Sequence, residues 1–361
     1  MPILNILDAV LKVAPLIRKL PLNRVGAARH VPFQPVRDEM HGLTNLELMT
    51  RHDRPLSSRK KRALLTAQLS YVGVGPTHCQ EIALMSEITS DVASHYGRAG
   101  LLDRILTALQ GAGKDIDRLT TADLAPMDEF HSRRRKATEE LAALLAPTAT
   151  DHVIDIGSGI GGPSRYLAAT FGCRVSGVDL TPEFVATATD LTRRAGLSAL
   201  VDFRQGSALE LPFPHASFDL AWTQNVAMNI ADRARWYTEA HRVLKPQGRW
   251  AIQDVVQGPG GALHYPVNWA DTPAISFLRT AEDTRKLLEQ AGFAVEVWED
   301  NSAVAISEGE AEAARAAARP AQPPYGMQLV AGESFAEKMR NSRRNMAEDR
   351  TRLITAVLRR A

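Results

Sequence analysis

From residue 152 onward, short apolar runs of strand type alternate with segments of helical spacing. The candidate strands are HVIDIG (152–157), CRVSGVDL (173–180), VDFRQGS (201–207), FDLAWTQN (218–225), RWAIQDVV (249–256) and AVEVW (294–298). Helical stretches such as PEFVATATDLTRRAG lie between most of them, and the C-terminal EDRTRLITAVLRR could supply a last strand. Because parallel strands need a crossover, which is usually a helix, this alternation predicts an α/β fold on a parallel sheet.

The part of the chain before residue 152 lacks this alternation. Residues 89–150 contain two long stretches of helical spacing, and residues 1–88 are helix-like, basic and interrupted by prolines. The charge run at 51–62 has no interleaved aromatic residues, so it does not resemble a nucleic-acid stacking surface. We therefore predict a helical N-terminal extension over 1–88, a helical cap over 89–150 and the α/β domain over 151–361.

Composition excludes several classes of protein. The 361 residues are 45% hydrophobic and 23% charged, and the net charge of +2 indicates neither a nucleic-acid partner nor a general affinity for membranes. Cys79 and Cys173 are the two cysteines, and their distance in sequence fits neither a disulfide framework nor a zinc site. We expect no bound metal and a reducing, cytoplasmic setting.

The first 22 residues have apolar side chains at roughly helical spacing. Asp8 and Lys12 interrupt this run and Pro15 breaks it, so it is too short and too polar for a membrane-spanning helix. It also lacks the charged start and the cleavage site of a signal peptide. Two interpretations stay open for residues 1–22: a helix packed on protein, and an amphipathic helix in weak contact with a membrane surface.

Three closely spaced glycines follow the first strand of the α/β domain. Gly157, Gly159 and Gly162 fit the pattern G-x-G-x-x-G and lead into a helix, which lets backbone N–H groups approach a ligand. Asp179 ends the next strand, 22 positions after Gly157 (179 − 157), where a carboxylate can accept hydrogen bonds from both ribose hydroxyls. Alone, this pattern is compatible with NAD, FAD or S-adenosylmethionine.

Downstream motifs distinguish between these ligands. The stretch 152–256, with GSALELPFPHASFDLAWTQNVAMNI and EAHRVLKPQGRW, resembles class I S-adenosylmethionine-dependent methyltransferases. DVASHYGRAGLL, APMDEFH and GPGGALHYPVNWA extend a resemblance to the sarcosine/dimethylglycine and ubiquinone/tocopherol types over 89–361. The resemblance implies a Rossmann-like, doubly wound, mostly parallel sheet of seven strands with the last strand antiparallel. It also implies S-adenosylmethionine as cofactor and a small molecule as methyl acceptor.

The same resemblance implies a set of cofactor-binding residues. They are Asp155, Gly157, Gly159, Gly162, Asp179, Leu180, Ser207, Ala208 and Gln224. Asp179 would hold the ribose. Two positions depart from the family pattern: Ser207 stands where the family has an acid near the adenine, and Gln247 stands where it has a glycine. A serine hydroxyl can still accept a hydrogen bond, but it carries no charge.

Candidate acceptor-side residues follow the fourth strand, because ligands of open α/β sheets bind beyond the C-terminal strand ends. Asn225, Met228 and Asn229 lie there, and Tyr265 lies in the later loop 258–269. The glycines of GPGG at the start of that loop would give it freedom to close over the acceptor. For each residue an ordinary packing role is the alternative.

Candidate catalytic residues are Tyr96, His131 and His264. A phenol or an activated carbon must lose a proton on methylation, and a positioned histidine can accept it. A tyrosine in the cap can face the sulfonium, since aromatic rings attract cations. Asp128 is a further candidate, as a carboxylate facing a cationic amine.

Other functions remain open at this point. A nicotinamide-dependent oxidoreductase would use the same glycine loop, although no Tyr-x-x-x-Lys pair follows the sheet. A non-catalytic, partner-binding protein with a methyltransferase-like shell is suggested by the basic N-terminal region and by Ser207. For a methyltransferase the acceptor atom is open as well: the apolar NVAMNI stretch fits a prenylated ring, whereas the acid of DEFH fits an amine.

Overall fold

The computed structural model describes residues 76–97, 99–318, 325–332 and 334–361. The stretch 1–22 and the charge run 51–62, with the interpretations attached to them, lie outside the described residues. All described residues belong to one compact unit of the chain, 58–361. Within that part, none of the helices combines the length and the apolar character that a membrane crossing requires.

A seven-stranded mixed sheet has the strand order β3-β2-β1-β4-β5-β7-β6. Its strands are β1 (His152–Ile156), β2 (Arg174–Asp179), β3 (Val201–Gln205), β4 (Phe218–Gln224), β5 (Leu244–Gln257), β6 (Phe293–Asp300) and β7 (Thr351–Arg360). Strands β1 to β5 are parallel, and β7 runs antiparallel between β5 and β6. The predicted fold class, a doubly wound and mostly parallel sheet with an antiparallel last strand, is confirmed.

Helices precede the sheet and connect its strands. Before β1 lie α1 (Pro76–Tyr96), α2 (Leu101–Gly111), α3 (Thr121–Asp128) and α4 (Arg134–Leu145). Between strands lie α5 (Gly162–Phe171), α6 (Pro182–Arg194), α7 (Arg233–Val243) and α8 (Ala281–Gln290). Between β6 and β7 lie α9 (Ser302–Ala318), α10 (Gln328–Ala331) and α11 (Phe335–Ala347). The predicted boundary after residue 88 falls inside α1, which runs unbroken into the cap.

Both faces of the sheet are covered. On one face, Trp236 of α7 packs edge-on against Trp250 of β5, with ring centroids 5.5 Å apart, and both are fully buried. On the other face, Leu141 of α4 and Leu167 of α5 pack with Val153 of β1. Each such side chain contributes about 1.5–3 kcal/mol by leaving water. Burial on both faces explains why the strands read as nearly continuous apolar runs.

Two element boundaries differ from the predicted ones. Strand β5 begins at Leu244, five residues before the predicted start at 249 (249 − 244), because Leu244 pairs with Phe218 ahead of a register shift. The helix predicted from the biased stretch 308–324 begins six residues earlier, at Ser302 (308 − 302). Both extensions depend on pairing and packing with distant segments, which local periodicity does not reveal.

Candidate active site

A cleft lies beyond the C-terminal ends of β1, β2 and β4, where the strand order reverses between β1 and β4. Ligands of doubly wound folds bind at such a switch point. Side chains and backbone from α1, the segment after α3, the glycine loop and the strand ends line it. Among the predicted residues, those that line it are Tyr96, Asp128, His131, Asp155, Gly157, Gly159, Asp179, Leu180, Ser207, Ala208, Gln224, Asn225 and Asn229.

Gly157 is held in a conformation and a space that only glycine fits. Its φ is +77°, and a Cβ atom there would lie 2.3 Å from Cγ2 of Val226. Its N–H donates to the carbonyl of Val178, at 2.7 Å, which joins the loop to β2. Gly159, by contrast, faces open space, with no atom within 4 Å of its Cβ position. The loop therefore leaves room above Gly159 for a ligand.

Gly162 does not line the cleft. A Cβ atom at this position would lie 2.4 Å from the carbonyl oxygen of Asp128, because α5 packs closely against the end of α3. The third glycine of the motif thus serves helix packing. A direct contact between Gly162 and the cofactor stays a prediction from sequence.

Asp179 is positioned by backbone donors at the end of β2. Its Oδ2 accepts from the N–H of Gly159 at 2.9 Å, and its Oδ1 accepts from the N–H of Thr181 at 2.8 Å. Burial raises the pKa of this carboxyl group, while the two N–H donors act in the opposite direction. Since a carboxylate offers about four acceptor positions, Asp179 keeps capacity for two hydroxyl donors of a ligand such as a ribose.

Three buried polar atoms of residues that line the cleft have no hydrogen-bond partner among the described residues. They are Oδ2 of Asp128, Oγ of Ser158, between the first two glycines, and Oδ1 of Asn225, directly after β4. Buried polar groups are almost always paired in folded proteins, so unpaired ones that line a cleft indicate a polar ligand. Together with Asp179, they fit a nucleoside with an amino-acid end such as S-adenosylmethionine.

Asp155 brings a second carboxyl group to the cleft. Its Oδ2 accepts from the hydroxyl of Ser164 at 2.6 Å, and the side chain is 2% exposed. Burial, assisted by the nearby charge of Asp179, raises the pKa of Asp155 to about 7. This carboxyl group is therefore poised to ionise fully when a cationic ligand is bound.

Ser207 and Ala208 line the cleft in the turn after β3, next to Leu180. The Oγ of Ser207 accepts from the N–H of Leu209 at 3.2 Å, so the serine stabilises the turn that carries it. Its O–H hydrogen is still available to a ligand acceptor.

The amide of Gln224 is engaged within the protein, although the residue lines the cleft. Its Oε1 accepts from Nε1 of Trp222 at 3.1 Å, and its Nε2 donates to Oε1 of Gln253 at 3.2 Å. The side chain thus anchors the end of β4, which leaves the backbone of this segment as the part that can face a cofactor.

Sequence reasoning missed Asp254, which shapes the loop after β4. Its buried Oδ1 accepts from the N–H groups of Val226 and Ala227, at 2.8 and 3.0 Å. These bonds hold Val226 against Gly157. Burial raises the pKa of Asp254 to about 7. No local pattern marks an acid inside an apolar strand as a loop anchor, because its partners come from another strand.

Tyr96 projects from the end of α1 into the cleft. Its hydroxyl donates to Oδ1 of Asn229 at 2.8 Å, and its ring packs edge-on against Phe130 and near Phe184. Burial raises the pKa of Tyr96 well above its ordinary value, so the phenol stays protonated. It can offer an aromatic face to a cation, but it is a poor proton acceptor.

Asp128 forms a buried ion pair, with Oδ1 at 2.6 Å from Nη2 of Arg165. The same guanidinium group also donates to Thr192 and to the carbonyl of Ile160. The ion pair thus occupies one carboxylate oxygen, while Oδ2 has no hydrogen-bond partner among the described residues, and the role of Asp128 toward a cationic amine stays a prediction.

His131 lines the cleft from the segment between α3 and α4. Burial lowers the pKa of its imidazole to about 4, so the ring is neutral at physiological pH. Its Nε2 lies 3.1 Å from the carbonyl oxygen of Arg134 and 3.0 Å from Oγ1 of Thr138.

The structure places three predicted residues away from the cleft. His264 pairs with Glu348 at 2.9 Å, and its backbone N–H donates to Asn345, so it fastens the 258–269 loop to α11. Met228 is 2% exposed in an apolar cluster with Trp269, and Tyr265 packs against that cluster. These three residues do not themselves line the cleft, and the catalytic role of His264 and the substrate roles of Met228 and Tyr265 stay predictions.

The predicted freedom of the 258–269 loop is also corrected. Gly258 and Gly260 donate hydrogen bonds to the carbonyls of Arg350 and Asp349, at 2.9 and 2.8 Å. A Cβ atom at either glycine would lie 2.1 Å from a backbone oxygen. The glycines therefore permit close packing of this loop on the start of β7.

Several apolar residues of the cleft were not predicted. Ile88 and Val92 lie on α1 two turns and one turn before Tyr96, and their spacing by four places all three on one helix face. That spacing was a usable signal. Val330 of α10 also lines the cleft, but no sequence pattern connects this late segment to the glycine loop.

Comparison with known proteins agrees with this geometry. Residues 154–252 match the family described as "Methyltransferase domain". A glycine/sarcosine/dimethylglycine N-methyltransferase of Actinopolyspora halophila is 32% identical over 36% of this chain and 23% of its own length. A probable tocopherol O-methyltransferase of Oryza sativa subsp. japonica is 36% identical over 35% of this chain and 36% of its own. The chain therefore spans about a quarter to a third of these relatives. A sarcosine/dimethylglycine N-methyltransferase of Halorhodospira halochloris is 27% identical over 59% of this chain and 75% of its own.

Solved structures share the fold. A geranyl diphosphate C-methyltransferase of Streptomyces coelicolor A3(2) has a TM-score of 0.57 at 16% identity, covering 76% of this chain and 98% of its own. The [4+2]-cyclase SpnF has a TM-score of 0.53 at 24% identity, covering 72% of this chain and 92% of its own. Because one of these proteins is a cyclase, the shared fold alone does not assign an activity.

Proposed function

We propose that this chain, of which residues 154–252 match a methyltransferase domain, is a class I S-adenosylmethionine-dependent methyltransferase that transfers the methyl group to a small-molecule acceptor bound in the same cleft. This proposal rests on one observation, the position of Asp179 beside the glycine loop. The half-buried carboxylate of Asp179 at the end of β2 accepts from Gly159 N–H and keeps acceptor positions for a ribose, directly beside open space above the loop.

Named residues would hold the cofactor. Asp179 accepts hydrogen bonds from the ribose hydroxyls, and Leu180, Ser207 and Ala208 surround the base. The backbone around Gly157 and Gly159 faces the amino-acid end. When bound, the cofactor supplies a methyl group activated by a sulfonium charge. The carboxyl groups of Asp155 and Asp179 give the cleft the charge that favours a cation.

The acceptor side of the cleft is apolar and aromatic. Its lining includes Ile88, Val92, Tyr96, Phe130, Phe184, Ile230 and Val330. Such a surface favours an acceptor with an apolar body, because each Å² of apolar surface removed from water contributes about 25 cal/mol. Neutral polar groups, the amide of Asn225 and the imidazole of His131, lie beside it and can orient a hydroxyl group.

The charges around the acceptor disfavour an anionic molecule. Of the Asp, Glu, Lys and Arg residues in the described part of the chain, three line the cleft: Asp128, Asp155 and Asp179. A phosphate or carboxylate buried there would face carboxylates and hydrocarbon, which is costly for an unpaired ion. We therefore propose a neutral acceptor with an apolar body and a hydroxyl group, and not an amino acid or a diphosphate.

The residues of this chain act mainly by alignment. Holding an acceptor oxygen in line with the methyl group can remove about 7–11 kcal/mol of the barrier in well-oriented systems. The aromatic wall of Tyr96, Phe130 and Phe184 fixes the acceptor and excludes water from the reacting groups. Exclusion of water strengthens the electrostatic effect of the nearby carboxylates.

Three probes with one geranyl tail test the acceptor class. Geranylhydroquinone is neutral, geranylamine is cationic and geranyl diphosphate is anionic. Incubated with S-adenosylmethionine labelled in its methyl group, the protein should transfer label to geranylhydroquinone, and Asp179→Asn should abolish the transfer. Preferential labelling of geranylamine or geranyl diphosphate, or no labelling of any probe, would contradict the proposed class.

A cytoplasmic location and a weak contact of residues 1–22 with a membrane surface stay predictions from sequence. Vesicle sedimentation of the full chain and of a chain lacking residues 1–22 tests the second: only the full chain should sediment with the vesicles.

A further inference from the structure

We propose that Thr138 and Glu129 fix the ring of His131 so that its Nδ1 accepts the proton of the acceptor's hydroxyl group during methyl transfer. This inference rests on the proposed function. It adds two positioning residues and names oxygen as the acceptor atom.

The contacts of His131 determine which ring nitrogen carries the hydrogen. Its Nε2 lies 3.1 Å from the carbonyl oxygen of Arg134, and a carbonyl oxygen can only accept a hydrogen bond. Nε2 must therefore donate. In a neutral imidazole the other nitrogen then carries a free lone pair. Nδ1 has no hydrogen-bond partner among the described residues, and the residue lines the cleft.

Thr138 continues a chain of hydrogen bonds in one direction. Its Oγ1 lies 3.0 Å from Nε2 of His131 and 2.9 Å from Oε2 of Glu129. Because a carboxylate only accepts, the single hydroxyl hydrogen points to Glu129, and the oxygen receives Nε2–H. Oε1 of Gln224 lies farther away, at 3.3 Å, and already accepts from Trp222.

Glu129 is placed to stabilise the ring when it takes up a proton. Its Oε2 lies 3.4 Å from Nε2 of His131, and the residue is 1% exposed. Burial and the charge of Asp128 raise the pKa of Glu129 to about 7, while Arg135, at 2.7 Å from the other oxygen, and Arg165 favour its ionised form. The charge of Arg135 also lowers the pKa of His131, so the carboxylate of Glu129 is what opposes it at the ring. A carboxylate so close to an imidazole both orients it and favours its charged form.

The turn that positions the carbonyl group of Arg134 has a strained backbone, and ion pairs hold it in place. Arg133 and Arg134 both have positive φ, +65° and +50°. The guanidinium of Arg133 contacts Glu140 at 2.7 Å and Glu308 of α9 at 2.8 Å. Backbone in this region is costly for residues other than glycine and persists where the surroundings enforce it, often at functional sites.

The proposed step balances. A bond forms between the acceptor oxygen and the methyl carbon while the sulfur–methyl bond breaks, and its electron pair returns to sulfur. The oxygen keeps the electron pair of its O–H bond, and the proton moves to Nδ1. The imidazolium, stabilised by Glu129, then releases this proton to water.

Nuclear magnetic resonance of the full chain with ¹⁵N-labelled histidine, bound to S-adenosylhomocysteine, tests the chain of hydrogen bonds. We expect His131 to be protonated at Nε2 and not at Nδ1 at neutral pH. Glu129→Gln and Thr138→Val should each lower the pKa of His131, and Thr138→Ser should restore it. Glu348→Gln, which removes the carboxylate beside His264, is the matched control and should leave the His131 signals unchanged.

A hydrogen on Nδ1, or a His131 pKa that Glu129→Gln leaves unchanged, would overturn the inference. His131→Asn should lower kcat for geranylhydroquinone by about 100-fold or more. Its affinity for S-adenosylhomocysteine should stay within about two-fold. The His131 signals can be read without any ligand, so failure of S-adenosylhomocysteine to bind would count against the proposed function alone.

Discussion

Gly157 combines two constraints, a positive φ and a Cβ position 2.3 Å from Val226. We expect Gly157→Ala to lower the free energy of unfolding by about 2–4 kcal/mol, as the sum of backbone strain and overpacking. Adding Val226→Ala should recover the overpacking part. Urea denaturation measures both. Gly113→Ala is the control, because Gly113 also has positive φ but open space around its Cβ position. Equal effects at the two glycines would refute the close approach.

Gln247 has a φ of +65° at an exposed position where the resemblance to the methyltransferase pattern implies a glycine. Gln247→Gly should therefore raise the free energy of unfolding by about 0.5–1 kcal/mol, since relief of the left-handed strain exceeds the entropy that glycine adds to the unfolded chain. Gln247→Ala, which shortens the side chain and keeps the strain, serves as control in the same melts. No gain over that control would show that the turn is unstrained.

Asp155 predicts a pH dependence of cofactor binding. With a pKa of about 7, it is mostly neutral one unit below that value and mostly ionised one unit above it. A cationic ligand prefers the ionised form, so affinity for S-adenosylmethionine should rise at least about 3-fold from pH 6 to pH 8, with release of protons. Calorimetry in two buffers of different ionisation enthalpy measures both effects. Asp155→Asn should remove the dependence; a slope that persists in this variant would assign it to another group.

At the scale of elements, Asn229 connects α1 to two other segments. It accepts from Tyr96, and its Nδ2 donates to the carbonyls of Trp269 and Ile275, at 2.8 and 2.9 Å. Tyr96→Phe should cost about 1 kcal/mol of stability, and Asn229→Ala about 2–4 kcal/mol, because it leaves buried partners unpaired. The double variant should show a coupling energy of about 0.5–1 kcal/mol. Strict additivity would mean that the Tyr96 bond contributes nothing.

The sequence predicted those elements whose signal is local. The strands of the sheet are apolar runs separated by glycines and helical crossovers. Asp179 could be predicted because it ends the strand that follows the glycine motif. Helices α10 and α11 were not predicted as cleft or loop supports, because their partners lie far away in sequence. The same reason explains His264, whose partner Glu348 is 84 residues away.

Buried polar groups were the least predictable part of the site. Asp254 and Glu129 contact backbone or side chains of other elements. Their roles depend on their burial, which no local sequence pattern predicts. Asp128 was predicted to face a ligand, but its ion pair with Arg165, 37 residues later, was not predicted. Pairing between distant charges is set by the tertiary fold, so sequence alone names the charged residues without their partners.

At the scale of the whole molecule, the fold brings distant parts of the chain to one cleft: the glycine loop, the strand ends, the segment after α3, the apolar face of α1 and Val330 of α10. The donor side is polar and carries carboxylates, while the acceptor side is apolar. This division explains how one cleft can hold a charged cofactor next to a neutral acceptor and keep water from the reacting groups.

Isothermal titration of the full chain with S-adenosylmethionine tests this account most directly. The account predicts saturable one-to-one binding, which Asp179→Asn weakens about ten-fold or more through loss of charge-assisted hydrogen bonds to the ribose. Asp190→Asn, at a surface ion pair of α6, should bind as the unaltered chain does. Absence of binding by the unaltered chain, or equal binding by Asp179→Asn, would contradict the assignment of this cleft to the methyl donor.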